Sequence, residues 1–319
     1  MTRELLLLRH GKSDWSVGVE DFYRPLKDRG KRAAQRIGVW IAQQKLVPDV
    51  IITSPAERAL VTAEKACKAM GNGTQGILED ERIYEAGPNE LIEVLADCPP
   101  HAGRVMLVGH NPGLEDLLEW LVSEPAEVAE DGKLLPTATL ARLQMPDDWS
   151  TLTAGCAHLD SITRPGTLPK KFPYPGPDGK KLRDRPAYYY TQSSVIPYRV
   201  RDGKMEILVI ESSKKHHLVV PKGIKEPGLS PRESAAREAL EEAGVEGEVA
   251  ETALGSYHCE KWGGTCTVDV YAMKVTRVIA EEDWEESHRG RQWLSPEKAA
   301  SQLKQQELRP LVMKLAASV

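Results

Sequence analysis

A chain of 319 residues exceeds the usual reach of one hydrophobic core, so two domains are expected. With 42 basic against 47 acidic residues and a net charge of −5, it lacks the basic surplus of a general nucleic-acid binder. The five cysteines form no CxxC pair, which excludes a zinc knuckle and a disulfide framework and suits a reducing, cytoplasmic setting.

In chain order, the first element is the apolar run Leu5-Leu6-Leu7-Leu8. It is far too short for a membrane span or a signal-peptide core, since a span needs about 20 apolar residues. It reads instead as a strand buried on both faces, and so do VIIT at residues 50–53 and VMLV at 105–108. The helical patterns RGKRAAQRIGVWIAQQ and AERALVTAEKACKAM lie between them, giving the βαβ alternation of an α/β domain with a mostly parallel sheet flanked by helices. Each apolar run ends in a polar signature. The first gives Arg9-His10-Gly11, the second Ser54-Pro55-Ala56-Glu57-Arg58, and the third Gly109-His110-Asn111-Pro112. Ligands bind beyond the carboxyl ends of parallel strands, so two arginines and two histidines should converge on one spot. Arginine forks match phosphate oxygens, and a neutral imidazole can attack phosphorus to form a covalent intermediate. Ser54-Pro55 is expected to start the following helix, with serine as cap and proline in the first turn.

These three signatures, LLLLRHGKSDW, SPAERALVTAE and MLVGHNPGLEDL, resemble the histidine phosphatase superfamily, in particular its small SixA-like phosphohistidine phosphatases. The resemblance covers residues 1–165. It implies His10 as nucleophile, with Arg9, Arg58 and His110 forming the phosphate pocket and no cofactor. For the general acid, Glu85 in RIYEAGPNEL is the candidate and Asp14 the alternative; Glu85 could equally be a charge complementing a helix N-terminus.

Residues 166–186 are rich in proline, glycine and lysine and read as a linker, because proline removes backbone donors from helix and sheet alike. Beyond it, VIPYRV, MEILVIE and CTVDVYAMKV look like strands, with a strongly helical PRESAAREALEEAG between the second and third. A terminal helix is expected over SPEKAASQLKQQEL. The mixture suits an α+β domain over residues 187–319. Ser230-Pro231-Arg232-Glu233 is a capping box with proline at its first helical position, and Gly244 is a natural stop. Between them, Glu238, Glu241 and Glu242 share one helix face. Like charges at that spacing repel, and a divalent cation with a preference for oxygen offsets the repulsion.

Residues 223–245 resemble the Nudix box, G-x5-E-x7-R-E-U-x-E-E-x-G-U with U bulky and apolar. Two positions depart from it: Leu229 stands where a glutamate is expected, and Ala239 where a bulkier residue is. The resemblance implies an α/β/α sandwich that holds Mg²⁺ (or Mn²⁺) on Glu238, Glu241 and Glu242. Glu238 also serves catalysis, Arg237 orients a glutamate, and Lys222 faces the substrate phosphates. HLVVPKG, EPG and WEESHRGRQWLS resemble the branch acting on diadenosine polyphosphates and diphosphoinositol polyphosphates. There Arg289 and Arg291, with Lys214, Lys215, His216 and His217, would supply cations; alternatively the two arginines pair with Glu281, Glu282 and Asp283. Trp284 and Trp293 are expected in the core.

The reading that joins both halves is a bifunctional phosphohydrolase: one domain cuts a pyrophosphate bond, the other removes a monophosphate through a phosphohistidine. Its ligand is a phosphorylated small molecule, a nucleotide or an inositol pyrophosphate, with neither nucleic acid nor membrane as partner. Two alternatives stand beside it. One is a protein phosphohistidine phosphatase gated by a Nudix domain that binds but does not cut; the other is sanitation of oxidised nucleotides of the 8-oxo-dGTP type.

Overall fold

The computed structural model describes residues 3–124, 132–174, 181–213 and 217–319. The chain divides into two compact units, Met1–Phe172 and Pro173–Val319. In the first, six strands form one sheet: β1 (Arg3–Arg9), β2 (Val50–Thr53), β3 (Ile77–Glu79), β4 (Arg104–Gly109), β5 (Leu140–Met145) and β6 (His158–Thr163). Their order is β3-β2-β4-β1-β5-β6. The first four run parallel, and β5 and β6 close the edge antiparallel.

The unbroken leucines of β1 are explained by the two layers around it. Leu6 and Leu8 pack with Ile37 and Ile41 of α1 (Asp28–Gln43) and Ala59 and Ala63 of α2 (Glu57–Met70). Leu5 and Leu7 point the other way, toward Leu91 and Leu95 of α3 (Pro88–Ala96) and Leu114 and Leu117 of α4 (Gly113–Leu121). Successive strand side chains alternate between faces, so a strand covered on both sides needs apolar residues throughout. One expectation fails here. Ser54 is not the cap residue of α2; the helix starts at Glu57 with Ala56 before it, and Ser54 Oγ both accepts from the Ala56 amide at 3.3 Å and meets His110.

Within the proline-rich stretch, β7 (Phe172–Pro173) pairs with β8 (Leu182–Arg183). The second unit is built on β9 (Thr191–Arg201), β10 (Lys204–Glu211), β11 (Leu218–Val219), β12 (Lys222–Ile224), β13 (Val245–Val249), β14 (Gly255–Lys261), β15 (Gly264–Val278) and β16 (Arg291–Leu294). The path is β11-β10-β9-β15-β13, with β12 on β9, β14 on β15 and β16 on β10; β9 and β15 are parallel neighbours. On one face lies α5 (Pro231–Ala243), through Ala235, Ala239 and Ala243 against Val195, Leu208 and Tyr271. On the other lie α6 (Pro296–Gln302) and α7 (Leu308–Ala316), through Ala299, Leu308 and Val312 against Ile196, Val209 and Val268. This is the expected sandwich. Ala239 is fully buried at that contact, so a small side chain suits a helix lying close on its sheet.

The single terminal helix is corrected to two. The chain is extended at Leu303, which bridges to Leu218 before α7 begins. Among the described residues no helix is long and apolar enough to cross a membrane.

Candidate active sites

In the first unit, the ends of β1, β2 and β4 deliver their signatures to one cleft of about 660 Å³, lined by Arg9, His10, Arg58 and His110 among others. The His10 and His110 ring centres stand 5.1 Å apart. His10 Nδ1 lies 2.7 Å from the Gly11 carbonyl. A carbonyl only accepts, so Nδ1 carries the proton and Nε2 keeps the lone pair. The loop behind is held by the Gly11 amide, which donates to Thr62 Oγ1 of α2 at 2.9 Å. Burial, reinforced by Arg58, Arg9 and Arg24, pushes the His10 imidazole down to about 4. Burial and the neighbouring His10 and Arg58 push His110 down to about 3. Both rings are therefore neutral at pH 7. His110 Nε2 meets Ser54 Oγ at 2.9 Å, whereas His110 Nδ1 is buried without a partner among the described residues.

Arg9 Nη1 donates to the Leu135 carbonyl at 2.7 Å. Arg58 is held by Asp21: Nη1 donates to its carbonyl at 2.6 Å and Nη2 to Oδ2 at 2.8 Å. The Nε atoms of Arg9 and Arg58 are buried without partners among the described residues. Asp21 also accepts from Arg24 Nη2 at 2.5 Å and Tyr84 Oη at 3.1 Å. Burial works against its charge, but Arg58, the Tyr84 hydroxyl and Arg24 together hold its carboxyl below the usual range.

Glu85 reaches the cleft. It sits at φ 55°, two residues before the Gly87 cap of α3, so it is not in the helix's first turn. The loop that carries it packs on the His110 loop so closely that a Cβ on Gly113 would lie 2.1 Å from the Ala86 carbonyl oxygen; only glycine fits there. Asp14 is turned to Lys27 Nζ at 3.2 Å and Ser16 Oγ at 2.6 Å, and does not line the cleft. Asp21 and Arg24 escaped the sequence reading, because they lie in a loop that follows no apolar run.

In the second unit, Ser230 and Glu233 cap α5 reciprocally and Gly244 ends it at φ 59°. The helix presents Glu238 toward β12. A Cβ on Gly223 would lie 1.7 Å from Glu238 Oε1, so the glycine makes room for that carboxylate. Burial, then Glu242, Glu241, Glu226 and Glu286, push the Glu238 carboxyl up to about 8. Burial also raises Glu242, which accepts from the Lys222 amide at 2.9 Å and pairs with Arg289 at 2.8 Å. Glu241 pairs with Arg237 at 2.7 Å. Lys222 Nζ donates to Gln192 Oε1 at 2.8 Å and lines a pocket of about 220 Å³ with Glu242, Tyr257, Lys261, Arg289 and Lys304.

Arg291 is a correction. It lies outside that pocket, donating to the Gly244 and Ile279 carbonyls and stacking on Trp284 at 4.4 Å. Neither arginine forms an ion pair with Glu281, Glu282 or Asp283; Arg289 pairs with Glu242 and Glu286. Trp284 is buried as expected, while Trp293 is half-buried with Arg199 over its ring. Lys214, Lys215 and His216 lie outside the described residues.

Comparison with known proteins assigns both units. The NUDIX domain model matches residues 191–315, and the model for the histidine phosphatase superfamily (branch 1) matches residues 5–93. Nudix hydrolase 12 of Arabidopsis thaliana is 34% identical over 142 residues, 37% of this chain and 69% of that protein. The chain belongs to the Nudix hydrolases. Its N-terminal unit is a histidine phosphatase domain, and the whole is a hydrolase. The chain is 31% identical over 157 residues to an uncharacterized Mycobacterium tuberculosis protein, Rv1276c, covering 48% of this chain and 96% of that one. A solved structure of a candidate SixA phosphohistidine phosphatase from Nakamurella multipartitia is 27% identical, covers 52% of this chain and 97% of its own, and superposes with a TM-score of 0.44.

Nudix domains generally use a divalent metal. The chemistry of the donors here fits one: carboxylate oxygens crowd the inner face of α5, and burial, reinforced by their mutual repulsion, holds Glu238 above the ordinary carboxylate range. Among the described residues no three such groups stand together in ligating position. Glu241 and Glu242 are engaged by Arg237 and Arg289, and Glu226, three residues before Leu229, lies within electrostatic reach of Glu238.

Proposed function

We propose that this protein hydrolyses phosphorylated small molecules at two sites, a pyrophosphate bond in the Nudix unit and a phosphomonoester in the histidine phosphatase unit. The observation that carries this reading is His10. It is a buried neutral imidazole with its lone pair fixed on Nε2, beside a second histidine and two arginines. His10 Nε2 attacks phosphorus while the bond to the leaving oxygen breaks. Arg9 and Arg58 bind the phosphoryl oxygens and His110 steadies their charge. Glu85 protonates the leaving oxygen, then takes a proton from the water that frees phosphate and restores His10.

In the Nudix unit, Glu238, Glu241 and Glu242 would hold Mg²⁺ or Mn²⁺, which supplies Lewis-acid charge to the pyrophosphate oxygens when bound. Glu238 accepts the proton of the attacking water. Lys222 and Arg289 bind the phosphates, and Arg237 orients Glu241. Dinucleoside polyphosphates, diphosphoinositol polyphosphates and nucleoside triphosphates all present the required bond.

The test is a Mg²⁺-dependent hydrolysis screen of the full-length protein over those classes, with products separated by ion exchange. His10→Ala should abolish phosphomonoester hydrolysis and spare pyrophosphate cleavage, and Glu241→Gln should do the reverse. Equal loss of both activities in either variant refutes the two-site reading.

A further inference from the structure

The cleft that holds the paired histidines is also lined by Trp15, a side chain left 72% exposed. An indole that wet is held by something other than burial. The Arg24 guanidinium carbon lies 3.4 Å from the centre of its ring, and Arg24 itself is only 7% exposed. Arg24 donates to Ser13 Oγ at 3.1 Å and to Asp21, the same carboxylate that holds Arg58. The ring is thus locked, through two residues, to the arginine of the phosphate pocket. Arg24 also bears electrostatically on both His10 and His110. That cation lies over one face of the indole, and most of the side chain is left to solvent.

We propose that Trp15 is a base-stacking platform and that the phosphatase site takes a nucleoside monophosphate. An open aromatic face beside a phosphate pocket recognises a planar π-system joined to a phosphate by a short spacer, which describes a nucleotide. A cleft of about 660 Å³ is far larger than a phosphate needs and lies in the range of small-molecule sites. An inositol phosphate offers no aromatic face for that indole to stack on. The inference rests on the phosphatase reading of His10 and adds which phosphomonoester that site accepts. It also connects the two chemistries: a pyrophosphate cut in a dinucleoside polyphosphate or a nucleoside triphosphate releases a nucleoside monophosphate.

The experiment compares AMP and GMP with ribose 5-phosphate, which keeps the sugar and phosphate and lacks the base. It uses the full-length protein, Trp15→Ala and Trp15→Phe. The wild-type protein should prefer the nucleotides. In Trp15→Ala the ratio of kcat/KM for nucleotide over ribose 5-phosphate should fall about tenfold, the loss of one base–aromatic stack, with KM carrying the change. Trp15→Phe should recover most of it. A ratio indifferent to Trp15→Ala overturns the proposal. So does a wild-type protein that hydrolyses ribose 5-phosphate or a phosphohistidine peptide and leaves nucleotides untouched. His10→Ala is the separate control: if it still cleaves the esters, the phosphatase assignment fails, whatever Trp15 does.

Discussion

Ser54 Oγ and His110 Nε2 meet at 2.9 Å across the ends of two neighbouring parallel strands. The contact sets which nitrogen of the second histidine is engaged and leaves buried Nδ1 as the other polar atom of the ring. Ser54→Ala removes this tether without opening a large cavity. Phosphomonoester kcat should drop about tenfold, the worth of one buried hydrogen bond, with melting temperature little changed. Steady-state kinetics beside a thermal melt checks both. Unchanged kcat would reduce Ser54 to a packing residue.

His10 makes a prediction about pH. Its pKa lies at about 4, below that of a free imidazole, because burial and three arginines disfavour the charged ring. In the proposed mechanism the neutral form carries the attacking lone pair, so acid should remove the nucleophile only as pH falls through about 4. The ring should stay neutral across the neutral and mildly acidic range. Selective labelling of histidine and NMR titration of the full-length protein tests this, with His10→Ala identifying the resonance. Titration near the free-imidazole value of about 6.5 would contradict it.

Gly223 and Glu238 make the second unit's corresponding claim. A Cβ at position 223 would fall on the Glu238 carboxylate, and the side chain would have to leave its place. Gly223→Ala should therefore abolish pyrophosphate cleavage while phosphomonoester hydrolysis persists. Because the displaced group is the far end of a flexible side chain, stability should change little. Denaturant unfolding and the two assays separate these effects, and retained pyrophosphatase activity would dismiss Glu238 from the site.

What could be read in advance follows from which forces act locally. The apolar runs at residues 5–8, 50–53 and 105–108 declared themselves because strands buried on both faces tolerate nothing else, and their polar ends mark the functional edge of the sheet. The capping box at Ser230 and the left-handed stop at Gly244 are likewise local chemistry and appear as written. Asp21 and Arg24 were invisible, since their importance lies in contacts with Arg58 and Trp15 that sequence distance conceals. Ser54 misled for the converse reason: serine-proline is a fair helix start, but the helix begins at Glu57 and the hydroxyl is shared between the Ala56 amide and a tertiary contact with His110. Leu303 broke the terminal helix by pairing with Leu218, another partner far along the chain.

Arg291 separates a brace from a binding residue. Its guanidinium donates to the Gly244 carbonyl at 3.0 Å and to the Ile279 carbonyl at 3.0 and 2.9 Å, and it rests on Trp284, whose indole nitrogen donates to the Glu241 carbonyl at 3.1 Å. These contacts tie the end of α5 to the segment that follows β15. The last carbonyls of a helix have no partner within it, and a cation there satisfies them while favouring the negative end of the helix dipole. Arg291→Ala should cost about 1.5–3 kcal/mol of stability, the range for hydrogen bonds from a charged donor. KM for the pyrophosphate substrate should hold steady below the melting transition. Arg289, within the pocket beside Lys222 and Glu242, should behave oppositely, with Arg289→Ala raising KM. A large KM increase in Arg291→Ala at full stability would return that residue to the substrate and refute its role as a brace.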